Sequence, residues 1–204
     1  MKGSFQIVLG VAMSRPEERR EITDVRALAA LAHPVRVALL NHLMAFGPRT
    51  ASQCAATVGA SPSACSYHLR QLARWGLVEP ASGTDGRERP WQAAATGFAF
   101  RADLDDPAGR AVQQSLLAVQ IEQDAALARD FLRRVDTVDR TWRDAAEFGR
   151  FSLLVTPAEL TELVATLDRE IRPFIGLTRS DAPADARPVH LELKAFPEAE
   201  PEES

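Results

Sequence analysis

With two cysteines in 204 residues, the chain has too few thiols for a disulfide framework, and a reducing compartment is the simple expectation. Apolar runs of membrane length are missing as well. The stretch FQIVLGVA near the N-terminus falls far short of the roughly 20 residues that cross a bilayer, and one Lys before it makes a poor signal peptide. There is no Gly-rich phosphate loop, no serine nucleophile elbow and no HExxH. The carboxylates of TWRDAAEF and DREIRP stand at helical spacings that suit surface ion pairs, so neither catalysis nor a cofactor is expected. No internal repeat is visible. What remains is a cytoplasmic protein that is neither a membrane protein nor an enzyme.

Hydrophobic residues make up 46% of the chain, enough for one or two small domains with cores of their own. The net charge is −4, which taken alone argues against nucleic acid, but its distribution reverses that inference. Residues 24 to 101 hold eight arginines against four acids, while residues 102 to 204 hold 12 basic and 21 acidic residues. The basic segment contains no lysine, and arginine's forked donors suit phosphates and base edges better than a point charge does.

Within that segment the apolar pattern predicts a series of short helices. Val25, Leu28, Ala29 and Leu31 form one apolar face, interrupted at His33 and Pro34. Val35, Leu39, Leu43 and Phe46 form a second, ended by Gly47 and Pro48. TASQ at residues 50 to 53 is a capping box opening a third helix, with Ala51, Cys54, Ala55 and Val58 inward. Gly59 and Ala60 then turn the chain into SPSACSYHLRQLARWG, where Ser61 caps and Pro62 takes the first helical position. At 100° per residue Cys65, Leu69 and Leu72 share a stripe with His68 at its edge. Ser63, Tyr67, Arg70 and Arg74, flanked by Ser66 and Gln71, lie opposite. No acidic residue occurs between Ser61 and Gly76. Two helices joined by a tight turn read as a helix-turn-helix. LVEP, the polar loop ASGTDGRER and PWQAAAT read as a hairpin, or wing, with Arg87 and Arg89 at its tip.

Asp106 and Pro107 open the longest helix, roughly 30 residues or about 45 Å at the usual rise, with a wide apolar stripe that includes Val112 and Val135. One small winged domain cannot cover it, so a second copy or the C-terminal segment must. Phe151 to Val155 is a strand candidate; TPAE at 156 to 159 caps a helix carrying Leu160, Leu163, Val164, Leu167 and Ile171; and PVHLELKAF alternates with Val189, Leu191 and Leu193 on the face expected to be buried. The fold class is therefore mainly α with a small β component: a winged helix-turn-helix domain at 22–101, a long helix for dimerisation, and a β-α-β segment completing residues 102–196. Residues 1–21 read as an extension lacking structure, with 1–12 lying upstream of Met13, and 197–204 as an acidic disordered tail.

ALAHPVRVALLNHL, TASQCAATVGASPSACSYHLRQLARWGLVE and GRERPWQA together resemble the winged helix-turn-helix repressors of the ArsR type, in the broad sense that includes non-metal relatives. The resemblance spans residues 24 to 101. It implies a homodimeric regulator of double-stranded DNA with Ser61, Ser63, Ser66, Tyr67, His68, Arg70, Gln71 and Arg74 on or beside the groove-facing helix. It further implies Thr50 at a phosphate through its N–H, Arg87 and Arg89 at the minor groove, His33 as the cap before Pro34, and Arg36 as a structural or backbone-contact residue. Metal-sensing members carry paired thiolates such as Cys-x-Cys on the helix before the recognition helix. Here Cys54 has Ser52 and Ala56 beside it, and Cys65 takes an inward slot, so both read as core residues and no metal site is expected. His42 and His190 have no second ligand at i+3 or i+4. Trp142, Phe148, Phe151 and Phe174 offer an alternative, an effector pocket for a small molecule in the C-terminal region, although aromatic residues without convergent polar groups more often form plain core.

Overall fold

The computed structural model describes residues 6–10, 19–81, 89–101 and 105–198. Each helix begins where the sequence supplies a cap. Asp24 accepts from the Arg26 N–H ahead of α1 (Val25–Leu31), and His33 Nδ1 accepts from the Val35 N–H ahead of α2 (Pro34–Phe46). Thr50 and Gln53 close a capping box ahead of α3 (Ala51–Val58), and Ser61 accepts from the Ala64 N–H ahead of α4 (Pro62–Arg74). Gly59, in the left-handed region at φ 67°, ends α3 and turns the chain into α4.

One core joins these helices. Leu28, Leu31, Val37, Leu40, Leu43, Cys54, Cys65, Leu69, Leu72 and Leu77 are buried together, with Phe98, Phe100 and Leu116. Two inward faces are rotated from the expected ones. In α1 Ala27 is buried and Ala29 exposed, and in α2 Val37, Leu40 and Met44 are buried whereas Phe46 is exposed. The cause is geometric: α1 and α2 meet at 88°, so both turn toward a centre shared with α4 rather than toward one another.

Strands β1 (Gln6–Gly10), β2 (Arg19–Ile22) and β5 (Gly97–Arg101) form a sheet in the order β1-β5-β2, antiparallel on one side of β5 and parallel on the other. The N-terminal extension, expected to lack structure, therefore supplies two of three strands. The reason is that β5 carries Phe98 and Phe100 into the core and has two edges to satisfy. Strands β3 (Val78–Pro80) and β4 (Trp91–Ala93) pair antiparallel as the wing hairpin.

Helix α5 (Pro107–Arg134) starts at Asp106, whose carboxylate accepts from Ala108 and Gly109 N–H, and packs on α1 and α2. Beyond a short α6 (Arg140–Asp144), α7 (Pro157–Ile171) starts on the Thr156–Glu159 capping box. The strands expected on either side of α7 do not form. Residues 151–155 and 188–196 have no ladder partner and are exposed, and without a neighbouring strand an extended segment leaves its backbone groups to water. No residue of α7 is buried, and Ile121, Leu127 and Leu132 of α5 are exposed. Among the described residues no single helix is long and apolar enough to cross a membrane.

Candidate nucleic-acid interface

Helix α4 has one buried and one open side. Cys65, Leu69 and Leu72 anchor it, while Ser61, Ser63, Tyr67, Arg70 and Arg74 are exposed and Ser66, His68 and Gln71 are half-buried at the margins. Tyr67 is 54% exposed, so its ring and hydroxyl are open to a partner. Arg70 has no hydrogen bond or ion pair among the described residues, so its guanidinium is available. Ser61 Oγ and Ser63 Oγ lie 3.0 Å apart at the N-terminal end, where the helix field favours a negative group.

What holds α4 in this attitude is partly polar. The His68 ring packs at a tilt against His33, 4.6 Å between centroids, and meets the Tyr67 ring edge-on at 5.2 Å. Because His33 Nδ1 accepts the Val35 N–H, that nitrogen carries no proton. Burial, reinforced for both by the positive charge of Arg36, keeps His33 and His68 below the ordinary histidine range. They are neutral spacers linking the α2 cap to the open face. At the other end of α4, Arg20 of β2 donates to the Gly76 carbonyl at 2.9 Å. Gly76 adopts φ 65°, so its backbone favours glycine, and a Cβ there, 2.8 Å from the Arg20 guanidinium, would push that flexible side chain off the carbonyl. Nothing in the local pattern of α4 signals the Arg20 contact, which arrives from a distant strand.

The wing is stitched to the N-terminal end of α3. Arg49 N–H donates to the Trp91 carbonyl at 2.9 Å and Trp91 N–H to the Arg49 carbonyl at 2.8 Å, placing β4 beside Thr50. Gln92 donates to Glu79 across the hairpin, so the acid nearest α4 is already engaged. Arg89 is exposed at the base of the loop, whereas Arg87 lies outside the described residues. Thr50 Oγ1 accepts from Gln53, and the Thr50 N–H, expected to meet a phosphate, donates to Gln53 Oε1 at 2.9 Å. A phosphate at that N–H would have to displace Gln53.

Two helices joined by a tight turn, an open basic face on the second and a hairpin beside the first make a winged helix-turn-helix. Residues 31–81 match the family described as a helix-turn-helix domain. Among solved structures, a possible transcriptional regulator for arsenical resistance is 34% identical, over 59% of this chain and 97% of that one. The chain belongs to the ArsR-type helix-turn-helix transcriptional regulators. RV1404 from Mycobacterium tuberculosis is 17% identical to this regulator over 74% of its chain and 84% of that one. The TM-scores are 0.30 and 0.29, so membership rests on shared sequence and the matched domain rather than on superposition. No curated protein matches the regulator.

The cysteines take no part in the open face. Both are free and buried; burial pushes the Cys54 thiol up to about 11 and raises that of Cys65. The aromatic set of the C-terminal region does not converge. Phe148 packs at a tilt against Phe131, Phe174 lies under Arg179, Phe151 is exposed, and Trp142 lies under Arg187 in an open cleft of about 400 Å³ with Asp139, Thr141 and Asp185. That cleft lies between α6 and residues 184–187, not between α5 and α7.

Proposed function

We propose that the regulator is a homodimeric repressor that reads a near-palindromic operator, with α4 in the major groove and the wing at 81–90 along the adjoining minor groove. The observation that carries this reading is the open face of α4: serines, Tyr67, two arginines and Gln71 around an anchored helix with no acidic residue. On this reading Tyr67, Arg70 and Gln71 select the half-site, and Ser61, Ser63, Ser66, Arg74, Arg87 and Arg89 hold phosphates or line the minor groove. His68 positions Tyr67 from the margin of the face. Residues 22–101 act as the DNA-binding unit and 102–196 as the dimerisation unit. Support for the dimer comes from the exposed Ile121, Leu127 and Leu132 of α5 and from α7, whose apolar face is at most half-buried by the described residues.

Selection of genomic fragments by purified protein at ~150 mM salt, where nonspecific binding is weak, tests the reading. A near-palindrome with half-sites about one helical turn apart is the expected product. Fragments recovered without any shared sequence would refute it. A second reading, regulation by a small effector, would place the ligand in the open cleft beside Trp142; a ligand that releases the operator from wild-type protein but not from Trp142→Ala would establish it.

A further inference from the structure

The extended segment around residues 188–196 lies the opposite way round from the expected strand. Val189, Leu191 and Leu193 are 71%, 65% and 45% exposed, and the alternate residues His190, Glu192 and Lys194 turn toward α5. They meet Asp124, a carboxylate on α5 only 7% exposed. His190 Nε2 lies 3.5 Å from Asp124 Oδ1, and Lys194 Nζ lies 3.3 Å from Asp124 Oδ2 and 2.6 Å from Glu192 Oε2. One ligating atom from each of Asp124, His190 and Glu192 falls within 4.8 Å of the other two.

We propose that Asp124, His190 and Glu192 form a site for a first-row divalent cation of the zinc type, with Lys194 as its built-in competitor. The donor set, one imidazole and two carboxylates, suits zinc and its neighbours, whereas magnesium and calcium prefer oxygen alone. The Lys194 ammonium bridges the two carboxylates, where a dication would sit. One ammonium shared between two carboxylates leaves a net negative charge beside the buried Asp124. A dication brings twice the charge. Bonds of about 2.0–2.1 Å in tetrahedral geometry place ligand atoms roughly 3.3 Å apart, so the three groups must close by up to about 1.5 Å. Asp124 is fixed on its helix, but His190 and Glu192 are exposed and free to make that movement. Lys194 leaves for solvent still protonated, and water completes the coordination. The bound ion fastens the C-terminal segment to the middle of the long helix.

The test is calorimetric titration of the full chain, first stripped with a chelator, with Zn²⁺ alone. One equivalent per chain is expected. His190→Ala and Glu192→Ala, both at exposed positions, should each weaken binding roughly tenfold or more. Asp124→Asn, which keeps the side-chain shape, should do the same. Lys194→Met should tighten binding, an outcome a plain ion-pair network does not produce, and Cys54→Ser with Cys65→Ser should leave it unchanged. Absence of binding up to about 1 mM, undiminished binding in both His190→Ala and Glu192→Ala, or weaker binding in Lys194→Met would overturn the proposal.

Discussion

Arg70 gives the sharpest test of the α4 reading, because removing its side chain should affect the partner and spare the fold. It is exposed, and among the described residues it makes no hydrogen bond or ion pair, so Arg70→Ala should change stability by no more than about 0.5 kcal/mol. Loss of a forked contact to a base costs about 1–3 kcal/mol, or roughly 5- to 150-fold per half-site. A dimer on a two-half-site operator loses two such contacts, so the total should approach the square of that factor. Fluorescence anisotropy on operator and scrambled duplexes across a salt series measures both terms. If Arg70 reads a base, the operator-to-scrambled ratio collapses and the salt slope is unchanged. If it holds a phosphate, both duplexes weaken together and the slope falls by about 0.9 per contact. Binding to both duplexes within twofold of wild type, with the fold intact, would refute the assignment of this face to DNA.

Arg89→Ala in the wing should weaken all duplexes alike and flatten the salt slope by about 0.9 per phosphate lost, measured in the same series. Ser61→Ala removes the α4 cap and should cost about 1 kcal/mol, read as a lowered denaturant midpoint at constant slope. The native cysteines should be unreactive toward a disulfide probe at pH 8 and become reactive on unfolding, since Cys54 is buried and ionises only near 11. Because His33 and His68 have lowered folded-state values, the unfolded chain binds more protons below the ordinary value of 6.5. Their contribution to stability is therefore complete above that pH and lost as pH falls below it, and His68→Gln should reduce the acid sensitivity seen in denaturant titrations at pH 5 and 7.

The DNA-binding half was legible because its signals are local. Thr50 with Gln53, Ser61 with Pro62, and Gly59 act within a few residues, and each marks the helix boundary found in the structure. The stripe of Cys65, Leu69 and Leu72 was equally plain, since an isolated amphipathic helix defines its own faces. Contacts from a distance were not legible. The two N-terminal strands exist because β5 offers edges, and the Arg20 link to Gly76 depends on that sheet's placement. The rotation of α1 and α2 similarly follows from their crossing angle, which periodicity does not encode.

The segment at 188–196 shows a different limit. Alternation divides a strand into two faces but does not say which faces the protein; hydrophobicity supplies that answer only when an apolar surface waits opposite. Here the opposing surface presents Asp124, and a buried carboxylate demands cationic or hydrogen-bonding partners more strongly than three aliphatic side chains demand cover at the rim. Helical spacing gives His190 no ligand partner, but in an extended chain the same-side neighbour is at i+2, where Glu192 stands. Val189, Leu191 and Leu193 are left exposed on the outward side. The polar latch thus decides which side of the segment faces outward; on the proposed dimer reading, a change that releases it, such as Asp124→Leu, should turn the segment over and weaken self-association, as sedimentation equilibrium would show.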